Sequence, residues 1–222
     1  MADTQAFLQS IQEGETAEAL AMLGQHPELA GARTEDGLSA VLLAVYLGHI
    51  QLGRRLAEQR GDLTIFEASA TGDLARLQAL LAADAGLANA FAADGFQPLG
   101  LAAFFNYPTV AKYLLEHGAE VNSPARNPQR VTPLHSAAAS EALEIARLLL
   151  EHGADANARQ AKDLTALHAA AQNGQVELIE LLLAHGAEVN ARAANHLTPL
   201  GMALRSGRER AAEVLRGHGG VE

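Results

Sequence analysis

At 222 residues the chain can bury a substantial core, and a composition of 49% hydrophobic and 19% charged residues excludes a disordered polymer. Its formal net charge of −10, from 16 Lys and Arg against 26 Asp and Glu, argues against a nucleic-acid partner, whose phosphates need cations. Cysteine is absent, which removes disulfides, thiolate metal sites and thiol nucleophiles together.

The start, MADTQAFLQS, carries an acid where a secretory signal has a basic region. No uncharged apolar run approaches the roughly 20 residues of a membrane helix, so the expectation is a cytoplasmic protein without a membrane partner. From Gln5 onward one pattern recurs: QAFLQSIQEG, SAVLLAVYLG at Ser39, LTIFEASATG at Leu63, QPLGLAAFFN at Gln97, TPLHSAAA at Thr132, TALHAAAQ at Thr165 and TPLGMALR at Thr198. The intervals are 34, 24, 34, 35, 33 and 33 residues.

Each copy predicts a short helix, a turn and a second helix. Thr or Ser at the start can cap the first helix, and Pro at the next position is preset for helical φ. Small residues such as Ala169, Ala170 and Ala171 let that helix lie close to its neighbours, and Gly48, Gly72, Gly174 and Gly207 can end it in the left-handed conformation. The second helix repeats apolar residues at helical spacing, as in Val176, Ile179, Leu182 and Leu183, before Gly118, Gly153 or Gly186 stops it. One such unit cannot bury its apolar faces alone, whereas a stack can.

The end units look like caps. Glu15, Thr16 and Glu18 are expected to interrupt the second helix of the first unit. In the last, Glu209 and Arg216 stand where Val176 and Leu183 sit one repeat earlier.

TPLHSAA, TALHAAA, LLLEHGADANA and LLLAHGAEVNA make this pattern closely similar to the ankyrin repeat, over essentially the whole chain. It resembles the irregular bacterial members of that family more than the consensus-like ones. The resemblance implies an all-α ankyrin-repeat solenoid, one domain over residues 1–222, of about seven helix-turn-helix units with short β-hairpin fingers. The 24-residue interval leaves no room for a finger between units two and three, where Arg60 stands in place of the usual Gly. Gly37 and Gly95 occupy the finger-turn position, which Arg130, Asp163 and His196 take over in the later units.

Chemistry is hard to find in this pattern. His117, His152 and His185 recur one repeat apart, and helices packed about 8–10 Å apart cannot bring such residues onto one ion that binds its ligands at about 2 Å. His135 and His168 are expected to hydrogen-bond within the loop network, and Asn122, Asn157 and Asn190 to stabilise turns. No phosphate loop, nucleophile elbow or carboxylate pair stands out, so neither cofactor nor catalytic residue is expected.

Function should lie in the positions the fold leaves free. The resemblance places a partner surface on the concave side, at finger tips and the last residues of the first helices. Carried over by residue, this gives Tyr46, Leu47, Phe96, Phe104, Phe105 and Tyr107, an aromatic patch, followed by the polar, partly basic Lys162, Gln172, Asn173 and Arg205. Aromatics are enriched at binding hot spots, although they could instead fill the hole left by the missing finger. The expectation is a monomeric scaffold or adaptor for an unidentified protein partner, or alternatively a dedicated inhibitor or protective subunit of one enzyme.

Overall fold

A computed structural model describes residues 2–222. Fourteen α-helices follow in pairs: α1 (Ala2–Glu13) with α2 (Thr16–Gln25), α3 (Ala40–Tyr46) with α4 (Ile50–Glu58), and α5 (Ile65–Thr71) with α6 (Leu74–Ala83). Then come α7 (Pro98–Phe104) with α8 (Pro108–Glu116), α9 (Pro133–Ala139) with α10 (Leu143–Glu151), α11 (Ala166–Asn173) with α12 (Val176–Ala184), and α13 (Pro199–Arg205) with α14 (Glu209–Gly217). The chain divides into two compact units, Met1–Leu87 and Ala88–Glu222.

In the first unit α1 presents Phe7 and Ile11, one helical turn apart and fully buried, to a core that includes Leu29, Val41, Leu56 and Leu63. Burying each such side chain contributes about 1.5–3 kcal/mol. The expected break in α2 is absent. The helix runs from Thr16, with Glu15 at its cap and Glu18 in its first turn, where the helix dipole favours acids.

Six residues, 59–64, join α4 to α5 and bring Arg60 into a buried ion pair with Glu67 of α5. Arg60 Nη1 lies 2.5 Å from Glu67 Oε1, and Arg60 Nε lies 2.9 Å from Asp62 Oδ1. The Arg60 and Glu67 side chains are only 7% and 1% exposed, too buried for either to be left unpaired cheaply. Glu67 Oε2 also accepts from the Thr64 N–H and hydroxyl at 2.8 Å, closing a capping box. The cap is therefore Thr64, one residue after Leu63, where the pattern starts the unit.

In the second unit the first helices α7, α9, α11 and α13 pack successively on one another, and the second helices α8, α10, α12 and α14 form a layer behind them. Ala103, Ala138, Ala171 and Ala203 are fully buried in the first layer, and Leu114, Ile145, Leu149, Ile179 and Leu182 in the second. Small residues in front permit close approach, and branched ones behind fill the volume. At the last pair Glu209 and Arg216 are exposed, as a capping unit requires.

Hydrogen bonds tie each repeat to the next. Asn89, Asn122, Asn157 and Asn190 each donate through Nδ2 to the Gly carbonyl one repeat on, at 2.8–3.0 Å. Each also accepts a backbone N–H from that same loop, at 2.8 Å. These asparagines thus bridge repeats instead of stabilising their own turns. His135 and His168 do the same from the buried side. The Thr132 or Thr165 N–H donates to Nδ1 at 3.2 Å, which leaves Nε2 as the donor to the Leu164 or Leu197 carbonyl.

The fingers are tight turns, not strands; among the described residues the one β-bridge joins Arg33 and Ser39. Each closes on itself, as in Ala92 N–H to Phe96 O and Gln160 N–H to Leu164 O, both 2.9 Å. Each also bonds to its neighbour, through Arg126 N–H to Gly95 O, Ala161 N–H to Gln129 O, and Ala194 N–H to Lys162 O. Gly95 is required at the first of these joints: its φ is +84°, and a Cβ there would lie 2.5 Å from Arg126 O.

Gly100 stands where His135 and His168 stand in the next two repeats, and a Cβ there would meet nothing within 4 Å. The Val131 carbonyl accepts from Ala125 N–H as Leu164 O does from Gln160 and Leu197 O from Ala193, so the acceptor for a histidine is in place. Gly100→His, with Gln97 left in place to keep its own bond to Asn89 O at 3.1 Å, should therefore stabilise the second unit by about 1–2 kcal/mol, from removal of a helical Gly and gain of a hydrogen bond. A urea midpoint that falls instead would show that this bridge does not form.

Candidate functional site

The ends of the first helices and the finger tips are the positions that packing leaves open. Phe104, the last residue of α7, is 46% exposed, an unusual placement for so large an apolar side chain. Phe105 follows it half-buried and meets it edge to face, with ring centroids 5.2 Å apart. The two share the duties weighed from sequence: Phe105 packs, and Phe104 faces solvent. Phe96 and Tyr107 are half-buried, Phe96 in the finger and Tyr107 at the start of α8.

Tyr46 and Leu47 belong to the first unit. Leu47 is 45% exposed at the end of α3, and Tyr46 is half-buried. In that unit Leu20, 42% exposed, and Ile50 border a recess of about 370 Å³ between α2 and α4, which the sequence pattern gave no reason to single out.

The polar candidates separate by helix face. Gln172 and Arg205 come together with Asn195, Leu197, Met202 and Ser206 around a depression of about 290 Å³. Asn173, one residue and 100° further round, faces away and lines a different recess with Gly207, Arg208 and Arg210. Lys162 is exposed at a finger tip with φ +64°, and its carbonyl holds Ala194 beside the depression. The neighbouring Arg130, Asp163 and His196 also have positive φ, at 51°, 55° and 64°, so three finger turns carry bulky side chains where Gly would be free of strain.

Other polar side chains near the helix ends are consumed by the frame. Ser140 donates to Ala103 O at 3.0 Å, Gln175 to Ala138 O at 2.8 Å and Arg208 to Gln172 O at 3.2 Å, each clamping a helix end of the previous repeat. Sequence spacing does not reveal that each has its partner in the preceding repeat.

The histidines are committed to the same framework. His117, His152 and His218 turn Nδ1 to the carbonyl four residues back, at 2.8, 2.8 and 2.9 Å. Burial pushes His135 and His168 below the ordinary imidazole value, against the pull of the Leu164 and Leu197 carbonyls. Glu67 in the first unit is moved the other way from what burial alone would give. The Thr64 backbone, the Ser39 and Thr64 hydroxyls and Arg60 outweigh desolvation and lower its carboxyl.

Paired helices, finger turns and repeat-to-repeat asparagines define a protein of the ankyrin-repeat class. Comparison supports this: the model of the family Ankyrin repeats (3 copies) matches residues 65–160 and 153–222. The chain belongs to the ankyrin repeat family. It is also 35% identical over 113 residues to the Neurogenic locus notch homolog protein 4 of Homo sapiens, an alignment covering 51% of this chain and 5% of that protein. No helix among the described residues is long and apolar enough to cross a membrane.

Proposed function

We propose that this ankyrin-repeat chain is a non-catalytic interaction module, a scaffold or adaptor, that holds a partner protein on the finger and helix-end side of residues 88–222. One observation carries the reading: a large apolar side chain, Phe104, is offered to solvent from the end of a helix that the next repeat clamps through Ser140 to Ala103 O. Rigid presentation lowers the ordering cost of association, and an aromatic anchor fixes few torsions while burying much area. Lys162, Gln172 and Arg205 supply the polar part of the same surface, and Leu47, at the repeat position of Phe105, is an exposed apolar residue of the first unit.

Phe104→Ala should weaken partner capture about thirtyfold, the scale of an interface hot spot, while the melting temperature stays nearly unchanged. Quantitative affinity capture from a cell extract, read beside circular dichroism, checks both. Unfolding on this single change would move Phe104 into the core and remove it from the surface.

A further inference from the structure

We infer that the partner segment seated on residues 88–222 is extended and acidic, its carboxylates received at Arg130, Lys162 and Arg205. The inference rests on the interaction surface proposed above and adds the chemistry of what binds there.

The three cations are exposed, and among the described residues none has an ion-pair partner. Neighbouring arginines are already committed: Arg159 donates to Arg192 O at 2.9 Å and faces Glu188, and Arg192 donates to His196 O at 3.0 Å. A chain with a net charge of −10 thus leaves unpaired positive charge along its finger row.

The row is continuous. Arg130 follows Gln129, whose carbonyl takes the Ala161 N–H. Lys162 O takes the Ala194 N–H, and the next residue, Asn195, lines the depression with Arg205. Successive repeats advance by about the 8–10 Å of packed helices, and an extended chain in the polyproline II conformation advances about 9 Å per three-residue turn, with every third side chain on the same side. Acidic side chains at every third position would therefore meet successive cations.

The depression at the end of the row fits one such side chain. Leu197 and Met202 line it with apolar atoms, while Gln172, Asn195 and Ser206 supply donors around the Arg205 fork, which binds a carboxylate through two parallel bonds. A glutamate, with two methylenes below its carboxylate, matches that lining better than an aspartate. A nucleic acid fits less well. Three free cations neutralise few phosphates, and the chain as a whole carries a net charge of −10 that repels a long polyanion.

The test is fluorescence anisotropy of the full chain with a labelled Gly/Ser peptide carrying Glu at every third position. The same peptide with Gln, a single-stranded oligonucleotide and phosphatidylserine vesicles serve as competing probes. The Glu peptide should bind, its Gln counterpart about tenfold or more weakly, and Arg205→Glu or Lys162→Glu should each cost about tenfold with an unchanged melting temperature. Equal or absent binding of the two peptides, or tighter binding of the oligonucleotide or vesicles, overturns the inference. If those charge reversals leave partner capture intact while Phe104→Ala abolishes it, the surface stands and only its acidic occupant is lost.

Discussion

Arg60→Ala should lower the unfolding free energy of the Met1–Leu87 unit by about 3–5 kcal/mol, the cost of leaving a buried carboxylate without its partner. Glu67 cannot relax into water: its side chain is 1% exposed, and its other oxygen is held by Thr64. Two variants separate this cause from simple loss of packing. Arg60→Met keeps most of the volume and should be nearly as harmful as the alanine. Adding Glu67→Gln to it removes the orphaned charge while keeping an acceptor for the Thr64 N–H, and should recover part of the loss. Urea unfolding followed by circular dichroism measures all three. The pair also sets an acid limit. The folded carboxyl of Glu67 lies below its unfolded value, so its contribution is complete above about pH 4.3 and is lost as pH falls through the folded value.

His168→Ala should cost the second unit about 2–4 kcal/mol. It removes a fully buried side chain and three hydrogen bonds, two at the Thr165 cap and one to Leu197 of the next repeat. The Thr165 N–H would be left buried without an acceptor. The same histidine makes stability depend on pH. Its folded pKa and that of His135 are lowered, so the unfolded chain binds more protons. Their contribution is full above the unfolded imidazole value of about 6.5 and drains away as pH falls below it. Protonated Nδ1 could no longer accept the threonine bonds. Melting temperatures between pH 7.5 and 5.5 should therefore fall in the natural chain, and fall less steeply once His135 and His168 are both replaced by Gln.

Much of this arrangement is written in the repeat. Thr132, Thr165 and Thr198 cap their helices where the pattern puts them, because a side-chain cap is a local interaction three residues in span. Asn122, Asn157 and Asn190 stand out by their period, yet the period does not say that their partners lie in the next repeat. Asn89 belongs to that row without its sequence mark, since LANA lacks the surrounding GADAN or GAEVN. Arg60 was visible only as an oddity. Its role depends on a contact with Glu67 seven residues away, in the one place where the repeat is broken and no second copy exists for comparison. Gln172 and Asn173 differ by a single position in sequence and by 100° on the helix, which sends them to separate recesses. The break expected in α2 failed for a simpler reason: acids at a helix start stabilise it.

Site-specific photo-crosslinking tests the placement of the partner most directly. Benzoylphenylalanine would replace Phe104 or Gln172 on the proposed surface, and Arg147 or Glu180 on the exposed face of the second helices. Irradiation in extract of the source cell should give a discrete crosslinked band from the first two positions and none from the others. Bands from positions 147 and 180, with none from 104 and 172, would place recognition on the opposite side and contradict the account.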